Sequence, residues 1–214
     1  MTNIFLRAKH WQLFLLMIGI PLLSEIYMYA RIWMFGSYST PEMVTDDMGF
    51  TQVLDEKFIQ FGWFPAIMLL FSLLVFGWLW SLAIGLQKWV PADVKMKTLR
   101  FKVFFFIPFI DILFIINYMT GIFMFNGTAF LMYLGIIDPV MIPLHLFSIF
   151  CIFHTLYFAA KTLKTVEFKR KVGLGDFIGE FFLLWFYFVG VWIIQPRVNQ
   201  LYEKNKTIAH EENH

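Results

Sequence analysis

Hydrophobic positions run through this chain in long blocks instead of alternating with polar ones. Five windows stand out: Trp11–Phe35, Phe58–Leu86, Val103–Phe125, Val140–Ala160 and Leu174–Gln195. A helix rises 1.5 Å per residue, so about 20 apolar residues cover a hydrocarbon layer of roughly 30 Å. Each window is long enough, and the pattern predicts five transmembrane helices. A closed β-barrel is the other way to satisfy backbone polar groups in lipid, but its strands alternate between apolar and polar positions. Val103–Ile110 reads Val-Phe-Phe-Phe-Ile-Pro-Phe-Ile, apolar at both parities, which excludes a barrel. The expected fold class is all-α: a polytopic transmembrane helical bundle, one domain over residues 1–214.

Local signals refine these windows. Asp138 before Pro139 reads as a cap followed by a first-turn proline at the start of the fourth helix. Pro21 and Pro108 fall inside the first and third windows, where each removes a backbone donor and predicts a kink. Residues 126–137 are apolar but short, and read as an outer loop or re-entrant piece. With five crossings, twelve Lys and Arg side chains fall on the side of the N-terminus and five on the other. Basic residues accumulate in cytoplasmic loops, so the N-terminus is expected inside and the C-terminus outside.

Composition removes whole classes of function. The chain is 59% hydrophobic, 21% aromatic and 15% charged, with mean hydropathy +0.68. Soluble domains carry about a quarter of their residues as charges, so a water-soluble enzyme fold is excluded. A net charge of +2 gives no sign of a nucleic-acid partner. The single Cys151 rules out an internal disulfide. The expected surroundings are the lipid bilayer of a cell membrane and other membrane subunits, or a homo-oligomer. No cofactor and no metal site are expected.

Ionisable side chains inside spans are costly and therefore the first candidates for chemistry. Glu25, Asp111, His145, His154 and Glu180 qualify. Counting residues at 1.5 Å each puts Asp111 about 12 Å and His154 about 9 Å from the inner face. His145 is about 7–8 Å and Glu25 about 9 Å from the outer face. The expectation is two layers, Asp111 with His154 inside and Glu25 with His145 outside. His145 and His154 are nine positions apart, about 900° of rotation, and should point to opposite sides of their helix. Acid–imidazole pairs at two depths suit a proton relay or a coupled carrier. The plainer alternative is interhelical hydrogen bonding that orients a bundle at around 1 kcal/mol per bond. Asp176 and Glu180 share a face near Lys169, Arg170 and Lys171, which suits helix-dipole and ion-pair stabilisation better than a cation site.

Gly77, Ser81 and Gly85 make a small-residue stripe at four-residue spacing, the pattern that lets another helix approach closely. Its partner is open between a helix of this chain and a second copy. Three stretches carry a likeness beyond pattern: Phe5-Leu-Arg-Ala-Lys-His-Trp-Gln-Leu-Phe14, Pro143-Leu-His-Leu-Phe-Ser-Ile-Phe-Cys-Ile-Phe153 and Gly190-Val-Trp-Ile-Ile-Gln-Pro-Arg-Val-Asn199. Together they resemble an uncharacterised family of bacterial polytopic integral membrane proteins. The resemblance implies a bacterial inner membrane and carries no known activity.

No His-Glu-x-x-His helix, Gly-x-Ser-x-Gly elbow or phosphate-binding Lys loop is present. No catalytic residue is assigned, and the reading leans away from an enzyme. The sequence supports a structural or accessory subunit first, a small proton-coupled carrier or channel second, and a lipid-modifying enzyme last.

Overall fold

The computed structural model describes residues 2–35, 64–120 and 137–211, and every regular element among them is a helix. α1 (Thr2–Arg7) is a short helix that breaks at Ala8–Lys9. α2 (His10–Phe14) continues through a π-helical turn, Leu15–Gly19, into α3 (Ile20–Phe35). The widened turn has a local cause. Pro21 has no N–H to offer, and the Ile20 N–H reaches back five residues to the Leu15 carbonyl. The kink expected at Pro21 thus takes the form of a π-helical turn just before it.

α4 (Phe64–Trp80) runs into a second π-helical turn, Ser81–Gly85, and a 3-10 turn, Gln87–Trp89. α5 (Thr98–Thr120) passes uninterrupted through Pro108. α6 (Ile137–Phe168) continues eight residues beyond the fourth window and ends at Lys169, whose φ of 50° is the left-handed stop of a helix terminus. Three segments are long and apolar enough to cross a membrane: His10–Tyr27, Pro65–Trp89 and Met141–Phe168. The short apolar piece at 126–137 lies almost wholly outside the described residues.

The core follows from packing these helices. Trp78, Leu82 and Leu86 of the second span are buried against Phe101 of α5 and Leu163 and Val166 of α6. Phe101 stacks on Phe158 at 4.7 Å. Aromatic rings bury large areas and favour such offset or tilted contacts. The small-residue stripe finds its partner within the chain: a Cβ at Gly77 would sit 2.8 Å from the Phe5 ring, so α1 packs its Phe5 onto that glycine. Ser81 donates its hydroxyl back to the Gly77 carbonyl at 2.9 Å, just where the π-helical turn begins.

The fifth window departs from expectation. Residues 174–195 do not form one spanning helix. α7 (Leu174–Trp185) ends at Phe186, and α8 (Tyr187–Glu211) folds back along it. The turn is so tight that a Cβ on Gly190 would lie 1.8 Å from the Leu183 carbonyl oxygen. Only a glycine fits there. As a result α8 returns to the end from which α7 started. Lys169 donates to Asn205 Oδ1 at 3.3 Å, and Asn199 donates to the Ala8 carbonyl at 3.2 Å. The start of the chain and its last helix therefore lie at one end of the bundle, in place of the opposite ends that five crossings required.

Candidate functional site

Among the described residues four polar clusters are built into this helical frame, and the first two hold Asp111, His145 and His154. In the first, His145 of α6 places Nδ1 3.0 Å from Asp111 Oδ2 on α5. Asp111 is 2% exposed, whereas the imidazole keeps 53% of its surface. With the carboxylate ionised, Asp111 only accepts, so the hydrogen between the two side chains sits on His145 Nδ1. The other carboxylate oxygen, Asp111 Oδ1, is buried without a hydrogen-bond partner among the described residues.

The second cluster is His154 alone. Its ring meets Phe104 edge-on at 4.5 Å, and its Nδ1 is buried with no partner among the described residues. Phe104 also touches Phe147 and Phe150. Aromatic side chains therefore occupy the stretch of the α5–α6 seam between His154 and the Asp111–His145 pair.

The pairing expected from depth is thus corrected. Asp111 meets His145 and not His154, and Glu25 meets neither histidine. Both histidines face α5 although half a turn of rotation separates them. Residue counting from assumed boundaries also placed the pair wrongly. The helix carrying Asp111, α5, begins at Thr98, five residues before its window, so Asp111 lies thirteen residues, about 20 Å, from that end and nearer the layer assigned to His145. Glu25 is exposed on α3 and has no hydrogen-bond or ion-pair partner among the described residues.

The third cluster was not foreseen. Arg197 of α8 makes a two-pronged contact with Glu167 of α6, Nε to Oε1 at 2.9 Å and Nη2 to Oε2 at 2.6 Å. Its Nη2 also reaches Glu180 Oε1 of α7 at 3.0 Å. Lys164 closes the ring, 3.1 Å from Glu167 and 2.9 Å from Glu180. Burial works against the charge on Arg197, but its hydrogen bonds to Glu167 and Glu180 outweigh that and hold its pKa above the ordinary guanidinium value. Two acids and two bases balance. Both acids are ion-paired, Glu180 turned inward to Lys164 and Arg197 instead of toward the Lys169–Lys171 run, and Asp176 with Arg170 at 3.3 Å; Asp176 also accepts from the Gly173 N–H at 2.8 Å.

The fourth cluster centres on Gln195, which is fully buried. Its Oε1 accepts from Trp78 Nε1 at 2.8 Å, and its Nε2 donates to the carbonyls of Phe5 and Ala8 at 2.7 and 2.9 Å. Those carbonyls belong to the end of α1, where no following turn supplies donors. One amide thus ties α4, α8 and α1 together. The signal available in the sequence was an amide and a guanidinium, Gln195 and Arg197, set into an otherwise apolar run.

Family models, curated proteins and solved structures were all compared with this chain, and none matched. The site must therefore be read from its own chemistry. No group of three or more His, Cys, Asp or Glu side chains that could hold a metal ion occurs among the described residues. The Lys164–Glu167–Glu180–Arg197 ring and the Gln195 hub are satisfied internally and join helices. Of the residues singled out in the sequence, Glu25, Asp111 Oδ1 and His154 Nδ1 have no hydrogen-bond partner among the described residues.

Proposed function

We propose that this chain is an integral membrane helical scaffold, an accessory subunit that packs against other membrane helices. Glu25 carries the reading. It is an exposed carboxylate with no partner among the described residues, on the least covered of the three candidate spans found there, His10–Tyr27, of which 11% is buried, against 39% and 28% for the others. A carboxylate facing hydrocarbon is expensive, and in bundles such groups turn toward a donor on a neighbouring helix. A partner span with a donor at that depth would satisfy Glu25 and cover the exposed side of α3. The two interior ionic and amide clusters fit the same role, since each fastens one helix to another.

The topology proposed with this function has four crossings, through α2–α3, α4, α5 and α6, followed by the α7–α8 hairpin at the side where the chain starts. Of 17 Lys and Arg residues, this arrangement leaves just Arg31 and Lys57 on the opposite side. The bias is stronger than five crossings produce, which supports a reading with both ends in the cytoplasm.

A small proton-coupled carrier is the second reading, favoured by the unpartnered Asp111 Oδ1 beside a half-exposed His145. One experiment separates the two. Membranes are extracted in mild detergent, the size of the species carrying this chain is measured, and purified protein is tested for proton flux in liposomes. The scaffold reading expects native protein above the mass of a 25.4 kDa monomer and Glu25→Leu shifted to the monomer, with flux at background. A monomeric native protein whose flux exceeds background and falls in Asp111→Asn would replace it with the carrier.

A further inference from the structure

The break between α1 and α2 opens a groove of about 790 Å³, within the usual range of small-ligand sites. Ile4, Trp11, Leu15, Leu16 and Leu74 supply most of its wall, and Arg7 is its one charged lining residue among the described residues. Side chains satisfy backbone groups at the elbow that holds it open. Gln195 and Asn199 take the Ala8 carbonyl, and the Gln12 side chain accepts from the Lys9 N–H at 2.9 Å. Phe5, pressed onto Gly77, anchors α1 against α4.

Charge is distributed along this groove as in an amphiphile. Arg7 is exposed and lies three residues before the span His10–Tyr27, at the boundary of the apolar layer. It has no ion pair among the described residues, and residues 1–24 contain no Asp or Glu to neutralise it. Lys9 beside it is exposed as well. Trp11 is 46% exposed, as suits a ring at a membrane interface, and Leu15 and Leu16 follow one turn deeper.

We propose that this groove binds one anionic phospholipid, with the phosphate against the Arg7 guanidinium and an acyl chain laid along Leu15, Leu16 and Leu74. A guanidinium matches phosphate oxygens in a two-pronged contact, and an adjacent Lys adds attraction that a zwitterionic headgroup cancels internally. Seating a lipid here would also cover apolar side chains at the point where α1 is tied to the bundle.

The test uses the full chain in phosphatidylcholine nanodiscs containing an equal small fraction of either phosphatidylglycerol or phosphatidylcholine brominated on the acyl chain. Quenching specific to Trp11 is the difference between native protein and Trp11→Phe. Brominated phosphatidylglycerol should quench about fivefold more effectively, the preference expected from one cation near the surface. Arg7→Gln should bring the ratio close to one, Arg7→Lys should retain part of it, and Lys102→Gln, away from the groove, should leave it unchanged. Each variant is also checked for an unaltered unfolding temperature, and if Arg7→Gln unfolds early, the Arg7→Lys ratio decides. Equal quenching by the two lipids in native protein, or a preference surviving Arg7→Gln, would mean ordinary annular lipid and overturn the proposal. Full competition by millimolar inorganic phosphate would equally overturn it, showing a free-anion site.

Discussion

Arg197→Ala is expected to destabilise the protein by about 3 kcal/mol, read as an earlier unfolding transition in detergent micelles. Removing one member of a buried ionic cluster costs about 3–5 kcal/mol because the charges left behind lose their partner. The lower end applies, since Arg197 itself keeps 30% of its side-chain surface whereas Glu180 and Glu167 keep 8% and 15%. After the change, Lys164 alone faces two carboxylates, and the cluster carries net negative charge among apolar helices. Arg197→Lys should recover only part of the loss, because a point charge cannot reproduce the two-pronged contact with Glu167. Replacing all four members together, Lys164→Met, Glu167→Gln, Glu180→Gln and Arg197→Met, should return most of the stability. If the single change is harmless, the ring does not hold α6, α7 and α8 together.

Gly190→Ala should cost a similar amount, about 3 kcal/mol or more, for a steric reason. The added methyl would lie 1.8 Å from the Leu183 carbonyl oxygen, and that atom is backbone, with no rotamer into which to retreat. Relief requires α7 and α8 to separate at their turn, which pulls Arg197 from Glu180 and loosens Gln195 from Trp78. The measurement is the same unfolding transition, with Gly175→Ala as the control, since a Cβ there meets nothing within 4 Å. Equal transitions for Gly190→Ala and native protein would show that the hairpin is not closed as described.

How much of this the sequence made legible depends on the reach of each interaction. Apolar blocks and helix class were legible because burial in lipid acts on every residue of a block, and such a signal survives errors of several residues. The Gly77–Ser81 stripe was legible as a packing face, but its partner was not: nothing local in the sequence says that Phe5, 72 positions away, fills the space. The Asp111–His145 contact was missed because depth was counted from window edges. α5 starts five residues before its window, and α6 presents both histidines to α5, so the count and the rotation each misled. The hairpin was hidden for another reason. Residues 174–195 have the length and apolarity of a span, and whether such a run crosses or turns back is settled at Gly190 and by the long-range partners of Gln195 and Arg197. The basic residues held an unused hint, since folding the tail back makes their segregation nearly complete.

The account rests on that return of the chain, which brings the last helix beside the first. Its most direct test is labelling with a membrane-impermeant thiol reagent in intact cells, on a Cys151→Ser background bearing either Lys9→Cys or Thr207→Cys; both sites are exposed. The account predicts identical behaviour, with both positions protected until the membrane is permeabilised. Labelling of position 207 from outside while position 9 stays protected would contradict it.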